Sequence, residues 1–203
     1  MKKKNNKIIL AAFAGIAMLG ITSCDLDNKD NNNSLTPAEV KIAYESVKGD
    51  YTGLVFFNKI KENSPTIEKD SVLVSATINT DSTLIIKNLP IKTLTGQLVN
   101  KELKKAIDDL GATDLKCYIG FVRKDPVTML VNPLPLSLNI NYNGKSQIFK
   151  TGFLFNNRSS LAQVAGKDEL IIQIIQAASM YLDDHLITNR ASNTPLLFKL
   201  KRQ

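Results

Sequence analysis

From residue 35 onward, apolar and polar residues alternate more often than they recur at helical spacing. Between Ser71 and Asn79, Val72, Val74, Ala76 and Ile78 fall on one side. Ser75, Thr77 and Asn79 fall on the other, and Leu73 breaks the pattern. A period of two is the signature of a half-buried strand. Asn79-Thr80-Asp81-Ser82 supplies a turn, and Thr83–Lys87 returns as the second arm of a hairpin. Leu115–Arg123 repeats the alternation with Leu115, Cys117, Ile119 and Phe121 on one face. Leu134–Tyr142 does so with Leu136, Leu138 and Ile140. Asn143-Gly144 is a type I′ hairpin signal, so Ser146–Phe155 is expected to return beside it. Pro133 and Pro135 place the start of that hairpin at a sheet edge. A last strand is expected over Leu196–Arg202, with Leu196, Phe198 and Leu200 inward.

Two segments have helical signals. Thr36-Pro37-Ala38-Glu39 combines a capping residue, a proline at the first helical position and a glutamate that completes a capping box. Val40, Tyr44 and Val47 follow on one face, and Gly49 stops the run. This predicts a short plug or lid helix leading into a sheet. Asn100 caps a second helix, whose buried stripe is expected to be Leu103, Ala106, Ile107 and Leu110, with Gly111 at its end.

Tyr51–Ile60 is strand-forming and apolar on both faces (Val55 and Phe57; Leu54 and Phe56), with Pro65 in the loop beyond. Glu169–Leu182 fits both periods. Ile171, Ile175, Ala178 and Leu182 suit a helix, whereas Leu170, Ile172, Ile174, Ala178, Met180 and Leu182 suit a strand. The strand is preferred, because Asp183-Asp184 followed by His185-Leu186-Ile187 looks like a tight turn and return. The sum is a mainly β chain: seven or more antiparallel strands in a β-barrel or β-sandwich, with two short helices.

The first residues follow a different logic. Lys2, Lys3, Lys4 and Lys7 precede an apolar run from Ile8 to Ile21, and Thr22-Ser23-Cys24 follows. A basic segment, a short apolar segment and small residues make a secretory signal. The run is 14 residues long, short of the roughly 20 that a membrane-spanning helix needs. Ile21-Thr22-Ser23-Cys24 resembles a bacterial lipobox, which implies cleavage before Cys24 and a diacylglycerol on its sulfur. A palmitate-bearing, two-chain anchor gives stable membrane attachment, because each buried methylene contributes about 0.8 kcal/mol. Asp25-Leu26-Asp27-Asn28-Lys29-Asp30-Asn31-Asn32-Asn33-Ser34 has too little apolar area to order itself. The expected division is a signal over 1–23, acylated Cys24 and a tether over 24–35, and one domain over 36–203.

Charge changes the picture once the signal is removed. The full chain has 26 basic and 19 acidic side chains, a formal charge of +7. Four of the lysines lie in the signal, leaving 22 basic residues and a charge of +3. No basic stripe interleaved with aromatics follows, so nucleic acid is not an expected partner. Lys199, Lys201 and Arg202 look like a solvated strand face. With Cys24 acylated, Cys117 has no intrachain partner and no disulfide framework is expected.

Several segments resemble a family of uncharacterised Bacteroides-type lipoproteins that carry a domain of unknown function. They are Gly49-Asp50-Tyr51-Thr52-Gly53 after the first helix, Thr80-Asp81-Ser82-Thr83-Leu84 with Lys87-Asn88-Leu89-Pro90, and Tyr181 to Ile187. The resemblance implies an outer-membrane location, on the periplasmic or the cell-surface face. In enteric bacteria Asp25 would instead resemble an inner-membrane retention signal. In Bacteroides-type bacteria Asp25, Asp27 and Asp30 resemble the acidic tag of surface-exported lipoproteins, which the Asn-rich tether favours. A more distant resemblance is to calycin or lipocalin-like barrels, where a helix precedes Gly-x-Trp. Gly49-Asp50-Tyr51 stands in that place here, with Tyr for Trp.

Catalytic chemistry is hard to assemble from these residues. His185 is the one histidine, and it sits in an apparent turn without ligand spacing around it. Cys117 lies on an apolar strand face with no neighbouring cation to activate it. Ser159-Ser160 lacks a nucleophile elbow. Asp108-Asp109 and Asp183-Asp184 look like helix-surface and turn residues. The expectation is a non-catalytic binding module with no cofactor and no metal. Its partners are the membrane, through Cys24, and another envelope protein. The alternative is a carrier holding a small apolar ligand among Phe56, Phe57, Phe121, Phe153 or Phe155. The absence of Trp weakens a sugar-binding reading, with Tyr51, Tyr118 and Tyr142 as the strand tyrosines available.

Overall fold

The computed structural model describes residues 34–61, 64, 66–156, 158–187 and 193–203. The signal, Cys24, the tether before Ser34 and Pro65 lie outside the described residues. In chain order the elements are α1 (Pro37–Val47), β1 (Gly49–Ile60), β2 (Ile67–Thr80), β3 (Thr83–Pro90), α2 (Lys92–Thr95), α3 (Lys101–Asp108) and β4 (Ala112–Lys124). They continue with β5 (Val127–Pro133), β6 (Leu136–Tyr142), β7 (Lys145–Phe153), β8 (Leu161–Ala165), β9 (Glu169–Leu182), β10 (His185–Leu186) and β11 (Thr194–Arg202).

Eight of these strands close a barrel in the order β1-β2-β3-β4-β5-β8-β9-β11, with β11 pairing back onto β1. Every pairing is antiparallel. Closure removes the free edges that an open sheet would carry. β9 is long enough to serve two sheets. Its first half lies between β8 and β11, and its second half pairs with β7 and β10, making a satellite sheet with β6 at the outer edge. The edge position that Pro133 and Pro135 suggested is therefore occupied by β6.

Alternation along the strands fills the barrel. Tyr51, Val55, Phe57, Ile78, Leu84, Leu115, Met129, Ile172 and Phe198 are among the inward residues that pack as one buried cluster. Two helices sit over its ends. α1 has the expected capping box, with Glu39 N donating to Thr36 Oγ1 (3.3 Å) and Glu39 Oε2 accepting from Thr36 N (3.0 Å). It buries Ala43 and Val47 against the barrel and fastens to the rim through Tyr44 Oη donating to Asn79 O (2.8 Å) and Lys124 pairing with Glu39 (2.7 Å). At the other end α2 adds Leu94 to the barrel cluster, while Ile91 and Leu98 join α3 and the satellite sheet in a second core around Phe149, Met180 and Leu182. Both cores and the closed barrel are built wholly from residues 34–203, a compact unit with the anatomy of an independently folding domain. No described helix is long and apolar enough to cross a membrane.

The structure corrects parts of the sequence reading. Among the described residues there are three helices, not two: α2 has four residues and begins just after Pro90-Ile91. β5 and β8 were not anticipated. The returning strand β7 ends at Phe153, leaving Phe155 71% exposed in the loop beyond. Phe56 points outward on β1, so of the five candidate phenylalanines only Phe57, Phe121 and Phe153 belong to the barrel cluster. Leu110 is exposed rather than part of the α3 stripe. Glu169–Leu182 is a strand throughout, with even-numbered side chains inward from Leu170 to Gln176 and again at Met180 and Leu182.

Candidate functional site

A groove of about 680 Å³ lies outside the barrel, at the end away from α1. Its construction begins with Ile60, the last residue of β1, and Lys61 just beyond it, both of which line the groove. α2 folds back onto this point. Ile60 N donates to Gly96 O at 2.7 Å, and a Cβ on Gly96 would stand 2.4 Å from Asn58 O. Only glycine permits that approach. It sets Leu98 and Val99 beside Ile60 as an apolar floor, with Val99 80% exposed.

Asn100 then starts α3, its Oδ1 accepting from Leu103 N at 2.9 Å. α3 buries Leu103 and Ile107 in the second core. Lys101, Lys104, Lys105 and Asp108, at i, i+3, i+4 and i+7, form the stripe that lines the groove. Asp108 is held by Thr95 Oγ1 and Lys104 Nζ, and Lys105 pairs with Asp109 at 2.7 Å. Lys61 and Lys101 make no ion pair among the described residues. The nearby Lys59 is neutralised by Asp70 (2.9 Å) and Glu68 (3.4 Å). Among the described residues the lining therefore combines an apolar floor with four ammonium groups and one carboxylate. Such a cleft has the size and character of a small-molecule site with a few orienting charges.

The residues singled out from sequence go elsewhere. Cys24 is outside the described residues. Cys117 is fully buried, and desolvation pushes its thiol well above the ordinary range, which keeps it protonated and unreactive. Ser160 is buried and structural: its Oγ donates to Leu154 O and accepts from Ile175 N. His185 is exposed on β10. Asp183 opens the β9–β10 turn at φ 52° and accepts from Ile148 N at 2.8 Å, the bond that chiefly lowers its pKa, while Asp184 pairs with Lys150. Tyr118 is exposed and Tyr51 is core. Among the described residues no group of three or more His, Cys, Asp or Glu is placed to hold a metal.

Arg202 departs most from expectation. It is not a solvated strand residue. Its guanidinium lies 5.5 Å from the Tyr51 ring centroid, and Nη2 donates to Ser46 O (2.5 Å) and Tyr51 Oη (2.9 Å). Tyr51 Oη in turn donates to Val47 O at 2.5 Å. These bonds tie the last strand, the first strand and the end of α1 at one rim of the barrel.

The profile of a domain of unknown function, DUF4840, matches residues 46–182. The chain belongs to the DUF4840 family. The match begins in the last turn of α1 and ends with β9, so the barrel-closing strand β11 lies beyond it. No curated protein matches the chain, and no solved structure does. The DUF4840 match thus spans seven of the eight barrel strands together with β6 and β7 of the satellite sheet, and β11 completes the barrel; the lysine-lined groove lies on its outside.

Proposed function

We propose that this DUF4840 protein is a lipid-anchored outer-membrane lipoprotein whose barrel is a non-catalytic binding module, working through its outer surface and not through its interior. One observation carries the second half of this reading. The barrel interior is occupied by packed side chains, and α1 and α2 lie over its two ends. An eight-stranded barrel holds a small ligand only where inward side chains leave space. Here Tyr51, Phe57, Phe121 and Phe198 take that space, so the exposed groove is the better candidate for recognition. The buried roles of Cys117 and Ser160 support a non-catalytic reading.

The anchor rests on the sequence: the basic start, the apolar run, Ile21-Thr22-Ser23-Cys24 and the polar tether. The test is metabolic labelling with a radiolabelled or clickable palmitate, followed by separation of inner and outer membranes. Label is expected in the wild type, in the outer-membrane fraction, and absent from Cys24→Ala. Equal label in both would remove the anchor from this account.

A further inference from the structure

We infer that the groove between the end of β1 and α3 is a site for a single-chain amphiphile with a carboxylate head. The inference rests on the binding-module reading above and names the ligand class of that site.

The first argument is the chemistry of the lining. Val99 is 80% exposed in the groove, next to half-buried Ile60 and buried Leu98. An apolar side chain exposed in a concave site offers a contact for the apolar body of a ligand. The cations lie on two sides of this contact, Lys61 just beyond β1 and Lys101 on the helix. A ligand that satisfies both features has an apolar body and a negative head. Lysine ammonium groups act as point charges, which suits a carboxylate without fixed bidentate geometry.

The second argument is the placement of Lys101. It occupies the first position of α3, where the helix dipole disfavours a cation. Glu102, the next residue, has the sign that stabilises a helix start. A locally unfavourable charge that faces a groove is explained when it meets an anion there.

The experiment is calorimetric titration of the 34–203 domain with dodecanoate below its aggregation threshold. Dodecyltrimethylammonium supplies the same tail with the opposite charge, and hexanoate supplies the head with little tail. Saturable one-to-one binding is expected for dodecanoate, with hexanoate much weaker and the cation not bound. Lys61→Gln combined with Lys101→Gln should weaken dodecanoate about tenfold, as two exposed charge contacts allow. Val99→Asp should abolish saturation. All three positions are exposed, so the variants should melt as the wild type does. Overturning results are no saturable binding, equal binding of the cation, or variants that bind like the wild type. Flotation with anionic vesicles in the absence of monomer binding would also overturn it, in favour of a membrane surface. Any of these would leave palmitate labelling at Cys24 untouched, and loss of that labelling would leave the titration untouched, so the two readings fail separately.

Discussion

Arg202 and Tyr51 are 151 positions apart in sequence, yet the hydrogen bonds at one rim of the barrel depend on both. The tyrosine ring is in the core while its hydroxyl reaches Val47 O, and the guanidinium covers the ring and bonds outward to Ser46 O. Replacing Arg202 by Ala removes two charge-assisted donors and a cation–π contact. The expected loss is about 2 kcal/mol in a urea melt. Tyr51→Phe should cost about 1 kcal/mol, because the ring still fills its place. An Arg202→Ala variant as stable as the wild type would show that the cluster is incidental. None of this was visible in the terminal Lys199, Lys201 and Arg202, because three basic residues near a chain end carry no sign of which one turns back. Cys117 shows the opposite case. Its place among alternating apolar residues was enough to identify it as buried and inert.

At the scale of elements, local signals succeeded where they were strong and failed where partners supplied the order. The capping box of α1, the Asn100 cap of α3 and the Asn143-Gly144 turn are written in adjacent residues, and all three are present. α2, β5 and β8 are short and depend on what they pair with. β8 follows Ser159-Ser160, which looks like loop until β5 and β9 take Leu161–Ala165 between them. The groove was likewise illegible. The lysine stripe on α3 can be read by spacing, but its apposition to Ile60 depends on the Gly96–β1 contact. The docking of α1 gives a pH prediction. The Lys124 hydrogen bond, followed by those from Thr36, lowers the Glu39 carboxyl from 4.5 to about 2. A carboxylate with a depressed pKa adds stability that is complete above its unfolded value. That stability is lost as pH falls from about 4.5 through about 2. Glu39→Gln keeps the reach of a capping box but cannot titrate. The difference in melting temperature between wild type and Glu39→Gln should be largest near neutral pH, shrink as pH falls through about 4.5, and vanish only below about pH 2. A difference constant across that range would mean that the Lys124 pair does not hold the helix.

For the whole molecule, the deciding feature is closure by a strand outside the family match. β11 pairs with β1 from Tyr51–Arg202 to Phe56–Leu197 and with β9 from Thr194–Gln176 to Lys201–Glu169. It buries Leu196, Leu197, Phe198 and Leu200, and its Arg202 fastens the rim. Burial of a large apolar side chain is worth about 1.5–3 kcal/mol. Four of them are comparable to the whole stability of an ordinary domain, about 5–15 kcal/mol. Removing β11 would also expose the edges of β1 and β9 to water and to other chains. A fragment ending at Leu186 is therefore expected to lack a cooperative thermal transition, even though it contains the entire segment recognised as DUF4840. A peptide of residues 193–203 added in trans should restore the transition in a concentration-dependent manner, because it can pair on both sides in the gap. A fragment that melts cooperatively at the temperature of the full domain would mean that the open sheet is stable alone. The filled, closed interior would then no longer be a reason to look for binding on the outside.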